Sequence, residues 1–255
     1  MIPGRGRKRI DTNGKPGQPG PCEILVVADH VDPLIYNGSI KERFSRTDIV
    51  LSCGDLNPEY YDFIVTSLNI PFFYVLGNHS SFTLKKDLTP HNSSWINKPM
   101  KTFQGGILLE GKVFYLKKWD LIIGGLGGSR RYNKGDNQYT EGEMFLRILS
   151  MLPRLWWNRI FRGRYLDIFV THASPRKVND REDTCHQGFS VFRWFLRRFR
   201  PRYQLHGHIH IYDANEERRV RYADTEVINC YDHYELKWGG PNESRAADQE
   251  DDRNF

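Results

Sequence analysis

Residues 48–55 read Asp-Ile-Val-Leu-Ser-Cys-Gly-Asp, a short apolar run that ends in a glycine and an acid. The aliphatic residues predict a buried β-strand over Asp48–Ser52, so Asp55 follows closely after a strand end. The same pattern occurs upstream, where the apolar run Glu23–Ala28 is followed directly by Asp29. Two buried strands, each leading to a carboxylate, are therefore predicted.

A helix is predicted after the second strand. Asn57 followed by Pro58 is typical of a helix N-cap and first turn, and apolar residues follow at helical spacing: Tyr61, Ile64, Val65 and Leu68. The run Pro71–Leu76 then predicts a third strand. The alternation of strand, helix and strand indicates a parallel or mixed sheet covered by helices, with function at the carboxyl ends of the strands.

The rest of the chain extends this α/β pattern. Strands are predicted over Gly106–Lys117, Trp119–Gly125 and Leu166–Val170, helices over Glu141–Leu152 and 188–200, and short strands from Tyr203 to about Trp238. We expect one domain, residues 22–238. The polar, glycine- and proline-rich basic segment 1–21 and the acidic segment 239–255 have little to bury, and we expect them to be disordered tails.

The composition limits the class of protein. The 255 residues are 39% hydrophobic and 27% charged, which is enough for a large buried core. The apolar runs are far shorter than a membrane-spanning helix requires, and the basic N-terminus does not resemble a signal peptide. We therefore expect a cytoplasmic protein. Its four cysteines form no paired motif and are expected to be reduced thiols.

Metal-binding side chains follow the predicted strand ends. Carboxylate, amide and imidazole donors without thiolates are suited to Mn, Fe or Zn rather than Ca. A single such residue is usually a cap or a core residue, but several on one sheet edge indicate a metal site. These donors are Asp29, Asp55, Asn78, His79, His172, His208 and His210.

In order and spacing these blocks resemble the calcineurin-like metallophosphoesterases. The family pattern is Asp-x-His, Gly-Asp, Gly-Asn-His-Asp/Glu, a lone His and Gly-His-x-His. The resemblance implies a four-layer α/β/β/α sandwich of two mixed sheets that hydrolyses a phosphate mono- or diester through a metal-activated water at a dinuclear site. It also implies roles for single residues: Asp55 bridges two divalent metal ions, Asn78, His172 and His208 complete one site, Asp29 and His210 belong to the other, and His79 acts on the phosphate or the leaving group.

Two departures from the family pattern matter. The chain reads Asp29-His30-Val31-Asp32, so Val31, which cannot bind a metal, stands where the family has a histidine. Either His30 or Asp32 is a candidate replacement, and the alternative is that both only shape the loop. In the third block, Ser80 replaces the usual acid, which affects the proton-donor role of His79.

Other residues are candidates for contact with the substrate. His186, in a polar loop after His172, is predicted to reach the phosphate, and the alternative is that it fixes the loop by hydrogen bonds to neighbouring acids. Arg130 and Arg131 follow a glycine-rich turn and are predicted to bind an anionic substrate. The alternative is that they are ordinary exposed arginines.

The net charge of +6 is concentrated in two segments without acids, 147–164 and 188–202. The arginines there are interleaved with aromatic residues. Segment 188–200 predicts an amphipathic helix packed on the core. The alternative is peripheral contact with a membrane through 152–164 and 188–200. A hydrolase of a lipid-linked phosphate or pyrophosphate is therefore one alternative function, and a non-catalytic scaffold is another. Nucleic acid ranks behind these, because no recognition fold is visible.

Overall fold

The computed structural model describes residues 20–79, 105–213 and 215–241. Two mixed sheets lie face to face in this part of the chain, and helices cover the outer side of each. The predicted α/β/β/α sandwich is confirmed. The helices are α1 Ile40–Arg43, α2 Pro58–Leu68, α3 Glu141–Arg162 and α4 Ser190–Phe199.

The first sheet has the strand order β13-β1-β2-β3-β4. Its strands are β1 Cys22–Ala28, β2 Ile49–Ser52, β3 Phe72–Tyr74, β4 Ile107–Leu108 and β13 Asp232–Trp238. Strands β1 to β4 are parallel, and β13 runs antiparallel to β1 at the edge. The three strands predicted around residues 48–55 therefore form the middle of this sheet.

The second sheet has the order β11-β12-β10-β9-β6-β5. Its strands are β5 Lys112–Leu116, β6 Leu121–Leu126, β9 Ile168–Thr171, β10 Tyr203–His206, β11 Arg219–Tyr222 and β12 Thr225–Asn229. The inner strands β6, β9, β10 and β12 are parallel, and both edge strands are antiparallel to their neighbours. A small separate pair, β7 Ser129–Arg130 and β8 Gln138–Tyr139, lies beyond β6.

The alternating side chains of β1 contact two different layers of the fold. Ile24 and Val26 point into the apolar core between the two sheets. Leu25 and Val27 point to the opposite side, into the core beneath α1 and α2. Strand β1 is thus buried on both faces, which explains why its sequence is almost continuously apolar. A third apolar core lies between the second sheet and helices α3 and α4.

Two predicted element boundaries need correction. The strand expected over Gly106–Lys117 is divided into β4 and β5, and the chain between them passes from one sheet to the other. Helix α3 does not end at Leu152. It continues through Pro153 to Arg162, because Met151 and Leu155 extend its buried face and this packing outweighs the hydrogen bond that proline lacks.

The ends of α2 and α3 follow from local sequence. The Asn57 side chain accepts a hydrogen bond of 2.8 Å from the backbone of Tyr60 at the start of α2. Helix α3 begins with a capping box of Thr140 and Glu143 and ends at Gly163, whose φ is +75°. No helix within the described residues is long and apolar enough to cross a membrane.

A half-buried ion pair fastens two loops at the carboxyl ends of the strands. The Glu110 carboxylate accepts hydrogen bonds of 3.0 Å from the backbone N–H groups of Leu76 and Gly127. Arg147 of α3 pairs with this carboxylate and also donates to the Gly127 carbonyl at 2.8 Å. Helix α3 is thereby joined to the loops that follow β3 and β6.

We expect Arg147→Ala to lower the free energy of unfolding by about 3 kcal/mol, because the largely buried carboxylate of Glu110 then has no cationic partner. Arg131→Ala is the matched control, since Arg131 forms an exposed pair with Glu143, and we expect a much smaller loss because water screens exposed pairs. Denaturant unfolding measures both. Equal losses in the two variants would contradict this role of Glu110.

Candidate metal centre

Five of the predicted metal-binding residues meet at one place. Asp29 follows β1, Asp55 follows β2, Asn78 follows β3, His172 follows β9 and His208 follows β10. The first three come from one sheet and the last two from the other. Asp29, Asp55, His172 and His208 interact with one another through hydrogen bonds or charge. Residues at the carboxyl ends of both sheets therefore form a single site.

The imidazole of His172 is fixed in one tautomer. Its Nδ1 lies 2.8 Å from the carbonyl oxygen of Cys53, which only accepts, so Nδ1 carries the hydrogen. The other ring nitrogen, Nε2, lies 2.9 Å from Asn78 Oδ1 and 3.1 Å from Asp55 Oδ2. His172 is completely buried. Three atoms with lone pairs thus face one point away from solvent.

His208 is oriented in the same way. Its Nε2 lies 2.8 Å from the carbonyl oxygen of Cys185 and donates to it, which leaves Nδ1 as the nitrogen with a free lone pair. One ligand atom from each of Asp55, His172 and His208 lies within 4.8 Å of the other two. We call Asp55, Asn78, His172 and His208 the compact site.

The donor set of the compact site fits a divalent cation. Carboxylate, amide and imidazole donors converge there, and the two histidines turn their hydrogens away, toward backbone carbonyls. Without a positive charge among them, these lone pairs repel one another in a buried place. A histidine whose second nitrogen donates to a carbonyl is the usual arrangement of a metal ligand.

The electrostatics of the compact site show the same demand for positive charge. Burial would lower the pKa of His172, but Asp55 beside it raises the pKa to about 9. Burial would raise the pKa of Asp55, but His172 and the backbone N–H of His79 lower it to about 2. Burial and the charge of His172 lower the pKa of His208 to about 3. Asp55 thus favours a positive charge at Nε2 of His172, and either a proton or a metal ion can supply it.

Three of the site residues adopt left-handed backbone conformations. The φ angles are +64° at Asp29, +57° at Asp55 and +67° at His208. Residues with a Cβ atom rarely adopt this conformation, and each instance costs on the order of 1–3 kcal/mol. Eight other non-glycine residues in the described part of the chain share this conformation, so it does not by itself mark the site. At the site it occurs in the turns that follow β1, β2 and β10.

Two glycines leave space for the carboxylates. A Cβ atom on Gly77 would lie 1.9 Å from Asp55 Oδ1, and one on Gly207 would lie 2.4 Å from Asp29 Oδ2. Neither glycine has a positive φ, so close approach rather than backbone conformation requires them. In the second block, Gly54 has a φ of +99° and allows the turn itself.

Asp29 and His210 lie beside the compact site. The backbone N–H of His208 donates to both carboxylate oxygens of Asp29, at 3.0 and 2.9 Å, and burial raises the pKa of Asp29 to about 7. His210 is half-buried, and its Nδ1 lies 3.1 Å from the hydroxyl of Tyr212. We call Asp29, Asp55 and His210 the open site. Within the described residues their ligand atoms do not form a group within 4.8 Å, as those of Asp55, His172 and His208 do.

The polar side chains of the loop after Asp29 bond to residues of β13. His30 is exposed, and its Nδ1 lies 2.7 Å from Asp232 at the start of β13. The buried Asp32 carboxylate bonds to Nδ1 of His233 and, at 2.7 Å, to the backbone of Leu34. Val31 packs on the core beneath α1 and α2. His30 and Asp32 are thus held by β13, which favours the interpretation that they shape this loop.

The rim of the site contains three of the predicted catalytic or substrate-binding residues. His79 is exposed, and its backbone N–H donates to Asp55 Oδ1 at 2.8 Å. The ring of His186 lies 5.2 Å from that of His208, and its Nδ1 is 2.8 Å from Asp183. Arg130 donates to the side chain of Gln187, the neighbour of His186. Arg131 instead pairs with Glu143 at the start of α3, and Ser80 lies outside the described residues.

Sequence patterns did not predict the groups that orient these ligands. The carbonyls of Cys53 and Cys185 hold the two histidines, and a backbone carbonyl has no signal in a sequence. The hydroxyl of Tyr132 accepts a hydrogen bond of 3.1 Å from Asn78 Nδ2. Tyr132 follows Arg130 and Arg131 directly. Its position after the glycine-rich turn is the sequence feature that could have indicated a place near the site.

A comparison with protein families identifies the chain. The family model of the calcineurin-like phosphoesterases matches residues 23–212. The chain belongs to the calcineurin-like phosphoesterase family. Members of this family are generally metal-dependent phosphoester hydrolases, and the matched region contains every residue of the compact and open sites.

Solved structures agree with the fold. One crystal structure, 13% identical, has a TM-score of 0.57 and covers 85% of this chain and 95% of its own. A second, TT1561 of Thermus thermophilus, is 12% identical, has a TM-score of 0.53 and covers 83% of this chain and 89% of its own. At such low identity the likeness shows the fold alone. The comparison with curated proteins gave no significant match.

We expect Gly77→Ala to displace the Asp55 carboxylate, because the added methyl group would lie 1.9 Å from Oδ1. The variant should keep its far-ultraviolet circular dichroism spectrum and bind manganese at least about tenfold more weakly. Gly142→Ala on α3 is the control, since its methyl group meets no atom within 4 Å. Unchanged manganese affinity in Gly77→Ala would contradict the close approach.

Proposed function

We propose that this chain hydrolyses a phosphate mono- or diester with water, using two divalent metal ions. The orientation of His172 and His208 carries the proposal. Both rings turn a hydrogen to a backbone carbonyl, and one ligand atom of each lies within 4.8 Å of the Asp55 carboxylate, in a member of a family of phosphoesterases. Nitrogen and oxygen donors without thiolates favour Mn, Fe or Zn.

The residues divide into two sets of metal ligands. Asp55, Asn78, His172 and His208 of the compact site would hold one ion, and Asp29, Asp55 and His210 of the open site would hold the other. When bound, such ions lower the pKa of a water and offset the charge of the phosphate oxygens. His30 and Asp32 are bonded to residues of β13, so the open site would have fewer protein ligands than the compact site.

Residues of the rim act on the substrate. Arg130 lies beside Gln187 and binds a phosphate oxygen. His186, which lies next to His208, binds another. His79 is exposed, its backbone N–H donates to Asp55, and we assign its imidazole the proton that the leaving-group oxygen takes up. Arg131 is held by Glu143, so its contribution is to the position of α3.

We expect Asp55→Asn to reduce hydrolysis of aryl phosphate mono- and diesters, in added manganese, by about a thousandfold or more, because both metal sites lose a carboxylate. Asp62→Asn on the exposed side of α2 is the matched control and should retain wild-type activity. Turnover that is the same in wild type and Asp55→Asn would refute the proposed reaction and favour a scaffold function.

The two sites should differ in affinity for manganese. With excess manganese we expect about two ions per chain, and after dialysis about one, because the open site has fewer protein ligands. His210→Gln should remove only the ion that is lost on dialysis, whereas His172→Gln should remove the retained one. Elemental analysis measures both without reference to activity. Two ions of equal affinity would contradict the difference between the sites.

A further inference from the structure

The outer face of α3 is apolar. A surface helix normally presents polar residues on the side opposite its buried stripe. Here the exposed side instead carries apolar residues at intervals of three and four. Leu146 is 65% exposed, Trp157 51% and Ile160 71%. The full set is Leu146, Leu149, Pro153, Trp156, Trp157 and Ile160.

This face continues onto the neighbouring helix and the end of α3. Phe161, 62% exposed, packs with its ring centre 4.2 Å from that of Trp157, and Trp194 of α4 lies 5.6 Å from Phe145. Patches of this kind on a protein surface mark a contact with another molecule or with a membrane. We call Phe145, Phe161 and Trp194, together with the six residues named above, the apolar face.

Arginines without acidic partners border the apolar face. Within the described residues the guanidinium groups of Arg154 and Arg197 have no hydrogen-bond or ion-pair partner, and those of Arg159 and Arg198 bond only to uncharged groups. Arg198 also lies 5.1 Å from the ring centre of Trp156. The acids in this region form ion pairs with other arginines. Asp120 and Asp167 pair with Arg164, and Asp224 lies 3.5 Å from Arg200.

An arginine-lined cavity lies where α3 and α4 end. Its volume is about 460 Å³, and it is open to the surface. Its polar lining comes mainly from Arg159, Arg164, Arg197, Arg198 and Arg200, with Tyr165 and Phe199 among the remaining residues. A cavity of this size and charge suits a phosphate group, which guanidinium groups bind with paired hydrogen bonds.

We propose that the apolar face and this cavity dock the protein on the surface of an anionic phospholipid membrane. Tryptophan and aliphatic side chains enter the boundary between headgroups and acyl chains, and the bordering arginines bind lipid phosphates. A second copy of the chain fits less well, because a symmetric contact would bring the same unpaired arginines together. Nucleic acid offers no apolar surface to cover the face.

Vesicle sedimentation of the full chain tests this. Sucrose-loaded vesicles of phosphatidylcholine with about a third phosphatidylglycerol should bind the protein at least about tenfold more tightly than phosphatidylcholine alone. The double variant Trp157→Gln with Ile160→Gln should weaken binding by about tenfold or more. The double variant Arg154→Gln with Arg197→Gln should weaken vesicle binding by roughly fivefold for each arginine removed. Added salt should also weaken vesicle binding of the wild type.

The matched controls lie elsewhere on the molecule. Ile107→Gln replaces an exposed apolar residue of β4, and Lys41→Gln removes a charge from α1. Neither should change binding, and thermal melting should be unchanged in all variants. The proposal is overturned if the wild-type protein sediments with neither kind of vesicle. It is also overturned if both double variants bind vesicles as tightly as the wild type does. A further outcome would also overturn the proposal: the wild type does not bind vesicles, light scattering shows it to be a dimer, and Trp157→Gln with Ile160→Gln is a monomer. The apolar face would then be a contact between subunits.

Discussion

The hydrogen bond from His172 to the carbonyl of Cys53 joins the two sheets where their strands end. His172 follows β9 of the second sheet, and Cys53 follows β2 of the first. The bond fixes the tautomer of the imidazole, directs Nε2 toward Asp55 and Asn78, and sets the separation of the two sheet edges. The position of each proposed metal ligand depends on that separation, because ligands come from both sheets.

The sequence predicted the centre of the site better than its edges. Asp55, Asn78, His172 and His208 were predictable because each follows a buried parallel strand, and such strands place their carboxyl ends together. The conformation of the loop at His30 and Asp32 was not, since its partners Asp232 and His233 are about two hundred residues away in sequence. No local pattern encodes such a contact.

The extent of α3 was underestimated for a related reason. Proline ends most helices, and Pro153 occurs where the predicted helix stopped. The helix continues because Met151 and Leu155 bury the same stripe on the second sheet on either side of the proline. Tertiary packing therefore determines where α3 ends. The part of α3 after Pro153 contains the exposed Trp156 and Trp157 and also Arg159, which lines the arginine cavity.

Gly77 and Gly207 also bear on the history of the chain. A Cβ atom at Gly77 would meet not only the Asp55 carboxylate but also the backbone nitrogen of Asp55, at 2.7 Å, and one at Gly207 would meet Ala28 Cβ at 2.9 Å. Loss of the two acids alone would therefore not open either position to a side chain. A descendant that had given up the metal centre would still retain both glycines unless the strand ends themselves had moved apart.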